Sequence, residues 1–323
     1  MRKTIVGIVS AVAGATLASS VAMAKCGEVQ ITEMNWASSQ VVTAVAKFIL
    51  EQGYGCKVQK VPSATTTAVT SLSETGKPDI VTELWVNSTP AYLKLEAAGK
   101  VKTATNVLSD GGVEAWWVPT YLAEKHPELK TIDGVLKNPQ LVGGKFHNCP
   151  DGWACRKIND NVIKALELDK KMEVFNHGSG ETLAASIAAA YADKKPWFGY
   201  YWAPTAVLGK YPMVKVSVGD HKPDVHKCNA SGKDCATPGV SAFPNARVIT
   251  TMTSDLASNN PAVFALMKNV AFTNAQMGEV LAWKQDKKAS ADEAAVYFLT
   301  KYKSVWGGWL NDEAKNKLAA VLK

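Results

Sequence analysis

Residues 29–62 read VQITEMNWASSQVVTAVAKFILEQGYGCKVQKVP, and the change of period inside that stretch decides the fold class. VQITEMNW (29–36) has the look of a strand that runs into a loop at Trp36. SSQVVTAVAKFILEQG (38–53) then places apolar residues at helical spacing, with a serine as N-cap candidate and Gly53 as a stop. CKVQKVP (56–62) returns to a short strand. The pattern continues: SATTTAVTSLSETG (63–76) predicts a second helix, DIVTELW (79–85) a third strand ending at Trp85, and VEAWWVP (113–119) a fourth. Strands alternating with helices imply a largely parallel sheet with helices on its faces. Ligands of such sheets sit beyond the carboxyl ends of the strands, where Trp36 and Trp85 fall.

A second unit of the same kind follows. QLVGGKFHN (140–148), MEVFNHG (172–178) and PWFGYYWAP (196–204) predict strands, and the segments 154–168 and 179–194 predict helices. ARVITTMTS (246–254) is strand-like and the remainder to Lys323 helical. The expected architecture is α/β with two lobes and a ligand cleft between them. Lobe 1 takes residues 25–118 and 246–323, and lobe 2 takes 119–245. The polar segment 218–239 reads as a surface excursion.

The amino terminus predicts export. Arg2 and Lys3 precede an apolar, small-residue run, and Ala22-Met23-Ala24 fits a cleavage site, so residues 1–24 read as a signal peptide. Lys25 before Cys26 argues against lipid attachment there. The expected location is the periplasm. The formal charge of +7 is spread along the chain, which gives no basic run for nucleic acid. All six cysteines lie beyond the signal segment, an even number that suggests disulfides in an exported chain. Spacing favours Cys149–Cys155 and Cys228–Cys235, leaving Cys26–Cys56. A metal reading of Cys228 and Cys235 with His221 and His226 lacks the close C-x-x-C spacing of most zinc sites. No metal or other cofactor is expected.

The chemistry concentrates on tryptophan, of which the chain has ten. Trp36, Trp85, Trp153, Trp202 and the pair Trp116-Trp117 occupy loop or strand-end positions. Indole faces attract a methylated onium group, which has no N–H to donate, through the ring quadrupole. They also stack on sugars, so both ligand classes stay open at this point. CPDGWAC (149–155) places Trp153, Ala154 and Cys155 where a helix begins, and the unpaired N–H groups of a helix start favour a bound oxygen or carboxylate. A Cys149–Cys155 disulfide would hold that loop in its binding shape and limit the ordering cost. The six-residue spacing does not match a catalytic C-x-x-C pair.

With ELWVN around Trp85, CPDGWAC around Trp153 and YYWAP around Trp202, the sequence resembles the periplasmic solute-binding proteins of ABC importers for glycine betaine and related compounds. The resemblance covers essentially the whole chain beyond the signal segment. It implies that Trp85, Trp153 and Trp202 box a trimethylammonium head while the N–H groups of Ala154 and Cys155 hold a carboxylate. Choline-type members add aromatics that Trp36 and the region of Trp116 match. It also implies delivery to a permease with its ATPase subunit, and a monomer. Two positions depart from the family's pattern. Thr89 stands where betaine binders carry a histidine, and Ser38 where choline binders carry an aspartate. Glu114, two residues before Trp116, is the candidate replacement, and it raises trimethylamine N-oxide beside glycine betaine, with choline behind them. A periplasmic hydrolase is the enzyme alternative, but no G-x-S-x-G, H-E-x-x-H or S-x-x-K occurs in a supporting context.

Overall fold

The structure is a computed structural model that describes residues 26–323; the expected signal peptide lies outside the described residues. Two sheets are built. The first contains β1 (Glu28–Met34), β2 (Lys57–Ser63), β3 (Ile80–Trp85), β4 (Val101–Asn106) and, from far along the chain, β11 (Val248–Thr253), in the order β2-β1-β3-β11-β4. β1 runs parallel to β2 and β3, whereas β11 is antiparallel to both β3 and β4. The second sheet contains β5 (Gly112–Pro119), β6 (Lys145–Asn148), β7 (Glu173–Asn176), β8 (Gly199–Ala203), β9 (Met213–Lys215) and β10 (Asn245–Ala246). Its order is β10-β5-β8-β6-β7, with β9 also on β5. β6 is parallel to β7 and β8, and β5 is antiparallel to β8, β9 and β10. Each sheet is therefore mixed rather than largely parallel.

The crossing point differs from the expected boundary at residue 118. β5 pairs with β8 and belongs to the second sheet, so the chain changes lobes between Asn106 and Gly112. β4, which sequence periodicity missed, closes the first sheet. The return crossing at Arg247 lies beside the outward one, because Ala246 pairs with Gly112. Gly111 sits between them at φ +76°, and a Cβ there would press on the Ala246 carbonyl. Glycine alone meets both demands.

The helix Ala37–Tyr54 shows how the first lobe's core is made. Val41, Val42, Val45, Ala46, Ile49 and Leu50 are all fully buried, and burial of each large apolar side chain contributes roughly 1.5–3 kcal/mol as an upper bound. Its cap differs from expectation. Trp36 is the N-cap with no side-chain hydrogen bond, and the helix ends at Gly55, in the left-handed region, rather than at Gly53. Gly53 is instead a close-approach position: a Cβ would meet Leu318 and Ala314 of the C-terminal helices at 3.2 and 3.3 Å. Those helices fold back on the first lobe, as the helices Ala291–Lys301 and Asp312–Lys317 both pack on Ala37–Tyr54.

All three disulfides expected from spacing are formed: Cys26–Cys56, Cys149–Cys155 and Cys228–Cys235. Segment 218–239 is more than a surface excursion. Its helix Pro223–Ala230 packs on the helix Ala154–Leu166 and touches Val86–Ser88 of the first lobe, and His226 and Asn229 are buried within it. No helix among the described residues is long and apolar enough to cross a membrane.

Candidate functional site

Four tryptophans reach one cavity from four strand ends. Trp36 lies two residues past β1, Trp85 is the last residue of β3, Trp153 is the N-cap of the helix after β6, and Trp202 is near the end of β8. Two come from each lobe. The indoles of Trp36 and Trp153 meet edge to face at 5.3 Å and 74°, and those of Trp153 and Trp202 at 4.9 Å and 83°. Tyr200, two residues before Trp202 on the same strand face, lies stacked beside it at 6.5 Å and 23°. Perpendicular rings enclose a rounded head, whereas a flat sugar ring is best held by parallel planes. The enclosed space is small. The volume open to the centre of a water molecule is ≈30 Å³, against the roughly 10–15 Å³ that admits one water.

Bare backbone makes room for the rings. A Cβ on Gly112 would collide with the Trp85 indole, and one on Gly180 would sit 3.1 Å from the ring of Trp153. Polar ties then hold the lobes together around the box. Trp153 Nε1 donates to Asn35 Oδ1 at 2.6 Å, Thr66 Oγ1 donates to the Gly152 carbonyl at 2.8 Å, and Ser88 Oγ donates to Glu114 Oε2 at 3.0 Å. The arrangement is a closed cleft.

Glu114 is the polar end of the cavity. Tyr200 Oη donates to its Oε1 at 2.7 Å while Ser88 holds Oε2. The residue is only 6% exposed, and burial pushes its carboxyl up to about 7 against the opposing pull of those two hydrogen bonds. The Tyr200 hydroxyl is driven well above its ordinary range by burial and by Glu114, so it stays protonated and able to donate. Ala154 and Cys155 also line the cavity. They are the first two residues of the helix Ala154–Leu166, and no side chain caps that helix start. Their N–H groups therefore remain donors without an intrahelical acceptor, and the Cys149–Cys155 bridge fixes the loop that presents them.

Trp116 is not brought to the cavity. It shares a face of β5 with Glu114 but lies deeper in the lobe, where Nε1 donates to Asn159 Oδ1 at 2.9 Å and the ring packs on Phe146 and Phe198. Trp117 points to the opposite face, donating to the Tyr201 carbonyl. Thr89, at the position of the absent histidine, turns back to its own segment and donates to the Trp85 carbonyl. Ser38, at the position of the absent aspartate, donates to Glu83 Oε1 at 2.6 Å. Sequence reasoning missed Tyr200, Ser88 and Thr65, which line the cavity, and Glu83, which accepts from Trp36 and Ser38. The first was within reach, since the period of two along β8 puts Tyr200 on the Trp202 face.

Residues 27–301 match the family described as the substrate-binding domain of ABC-type glycine betaine transport systems. The glycine betaine/proline betaine-binding periplasmic protein of Escherichia coli (strain K12) is 25% identical over 248 residues, covering 70% of this chain and 73% of that protein. Among solved structures, an ABC-transporter choline-binding protein in complex with choline superposes with a TM-score of 0.72 at 21% identity, covering 92% of this chain and 98% of that one. Lactococcal OpuAC, closed and complexed with glycine betaine, superposes with a TM-score of 0.68 at 15% identity, covering 88% of this chain and all of the other. These likenesses in structure show the two-lobed binding-protein fold. The extent of the family match goes further, and this chain belongs to the substrate-binding domains of ABC-type glycine betaine transport systems.

Proposed function

We propose that the protein binds a small trimethylammonium-type osmolyte in the periplasm and delivers it, as a monomer released by signal cleavage, to an ABC permease and its ATPase. The observation that carries this reading is the box itself: four indoles, two from each lobe, around a space sized for a compact head. Each favourable face adds roughly 0.5–2 kcal/mol, which suits a ligand that offers methyl groups and charge but no donors. A sugar would need hydrogen-bonding partners around its whole ring, whereas four of the residues lining this cavity present indoles.

Within the class, trimethylamine N-oxide fits best. The polar group at the end of the cavity is a carboxyl poised near 7, so at neutral pH a proton is available on Glu114 for the N-oxide oxygen. Tyr200 and Ser88 orient that carboxyl. Glycine betaine is the second reading, favoured by the Ala154 and Cys155 N–H groups at the cavity wall; its carboxylate would turn toward the helix start and leave Glu114 a bystander. Choline is third.

Calorimetric titration of the mature protein with the N-oxide, glycine betaine, choline and a neutral sugar separates these readings. The N-oxide is expected to bind most tightly. Tightest binding of betaine moves the polar contact to the helix start, and a response to sugar alone overturns the cation box.

A further inference from the structure

A second buried carboxyl stands behind the box. Glu83 lies inside β3 at φ +53°, in the left-handed region that a side-chain-bearing residue seldom adopts. Its cause is visible in the register. Ile249 of β11 faces Leu84 and Thr251 faces Val81, so Thr250 alone opposes both Thr82 and Glu83. That is a β-bulge, the device that re-aims a side chain beside a site, and here it carries glutamate where glycine would cost least. Strain of this kind persists where the surrounding structure over-determines it.

The bulge aims the Glu83 carboxyl at the N–H edge of the Trp36 indole. Trp36 Nε1 donates to Oε1 at 2.8 Å and Ser38 Oγ to the same oxygen at 2.6 Å. The Trp85 indole is near enough to favour the ionised form. Glu83 is fully buried, and its Oε2 has no hydrogen-bond partner. No lysine, arginine or histidine is paired with it among the described residues. The groups that face it are the Trp36, Ser38 and Trp85 side chains; Thr250 stands across the bulge on β11, its own hydroxyl buried and unpartnered. A buried carboxylate without a cation is costly. On the methylated-ammonium reading the cation brought near it is the ligand, enclosed by the Trp36 and Trp85 rings whose edges Glu83 meets.

We infer that Glu83 is the counter-charge of the binding site, a positioning residue that holds Trp36 and makes the first-lobe walls selective for a cationic methylated nitrogen over an uncharged carbon centre of the same shape. The inference rests on the methylated-ammonium reading of the site. It also assigns Ser38 a task, that of favouring the ionised form of Glu83. Because burial pushes Glu83 up to about 7, its charge is present above that value and lost as pH falls through it. Affinity for a permanent cation therefore rises with pH across this range; Glu114 in the cavity titrates over the same range, and substitution of Glu83 separates its share.

The test compares choline with its neutral carbon isostere 3,3-dimethylbutan-1-ol at pH 8.5 and pH 5.5. Glu83→Gln keeps the acceptor for Trp36 and Ser38 and removes only the charge. At pH 8.5 it is expected to weaken choline about tenfold while leaving the alcohol within twofold, on the scale of one unpaired charge acting through a ring. Equal losses for both ligands, or none, overturn the inference, because a merely structural role would not separate them. Ser38→Ala leaves all four walls in place and is expected to move the pH midpoint for choline upward; an unmoved midpoint also counts against Glu83. Wild-type protein that binds no methylated cation at all defeats the parent reading instead, so the two failures are distinct.

Discussion

Each lobe brings two indoles to the cavity and buries one carboxyl near them, yet the two carboxyls face different neighbours. In the second lobe Glu114 opens onto the cavity, and its partners are the hydroxyls of Ser88 and Tyr200. A hydroxyl can donate or accept, so this carboxyl can gain or lose a proton without stranding a partner. In the first lobe Glu83 is held by the Trp36 indole and the Ser38 hydroxyl. An indole N–H only donates, so one oxygen of Glu83 must stay an acceptor. Burial pushes both groups up to about 7. On the proposed reading the same shift serves two ends, a proton to share with the ligand at Glu114 and a counter-charge that switches with pH at Glu83.

Four substitutions would break or sharpen that contrast. The largest effect is expected at the second-lobe wall: Trp202→Ala removes a ring that packs on both Trp153 and Tyr200, and affinity measured by fluorescence titration should fall at least tenfold, the scale of a central aromatic anchor. Unchanged affinity would take Trp202 out of the site. On the first-lobe side, Gly112→Ala drives a methyl into the Trp85 ring and should cost about tenfold in calorimetry by displacing that wall. A variant with native affinity would show that Trp85 is not needed where it stands.

Glu114→Gln tests the shared proton. A complex with the N-oxide holds one proton between ligand and Glu114. Affinity should therefore be level below about pH 7 and fall up to tenfold per unit above it. The amide always carries N–H donors, so the variant should stay within a few-fold of wild type at pH 6 and lose that fall. A wild-type profile flat from pH 6 to 8.5 would contradict it. The smallest effect is expected at the tie between lobes: Asn35→Ala frees Trp153 Nε1 and should weaken binding by about threefold, chiefly through faster dissociation in stopped-flow traces, as one neutral hydrogen bond is worth ~0.5–1.5 kcal/mol. Loss of association rate alone would mean Asn35 acts before closure rather than holding it.

The parts legible in the sequence are those that follow from local period and spacing. The alternation of strand and helix in two successive units, with a return strand near residue 246, gave the two-lobed α/β class, and cysteine spacing gave the three bridges. Trp36, Trp85 and Trp202 were readable because each sits where a strand stops, and Trp153 because it sits where a helix starts. What stayed hidden depends on pairing between distant segments. β5 looks like a fourth strand of the first unit, and only its ladder with β8 places it in the second lobe. Trp116 sits on the Glu114 face of β5, as periodicity says, but depth along a strand is set by register, which puts it among Phe146 and Phe198. Glu83 is the extreme case, because a bulge between β3 and β11 leaves no mark in composition.

The most direct test of the cation box is a crystal structure with trimethylamine N-oxide bound. The nitrogen is expected within about 6 Å of the centroids of Trp36, Trp85, Trp153 and Trp202, with the oxygen at hydrogen-bond distance from Glu114. Density for the ligand outside the four indoles, or with its oxygen turned to the Ala154 and Cys155 N–H groups, would contradict the account.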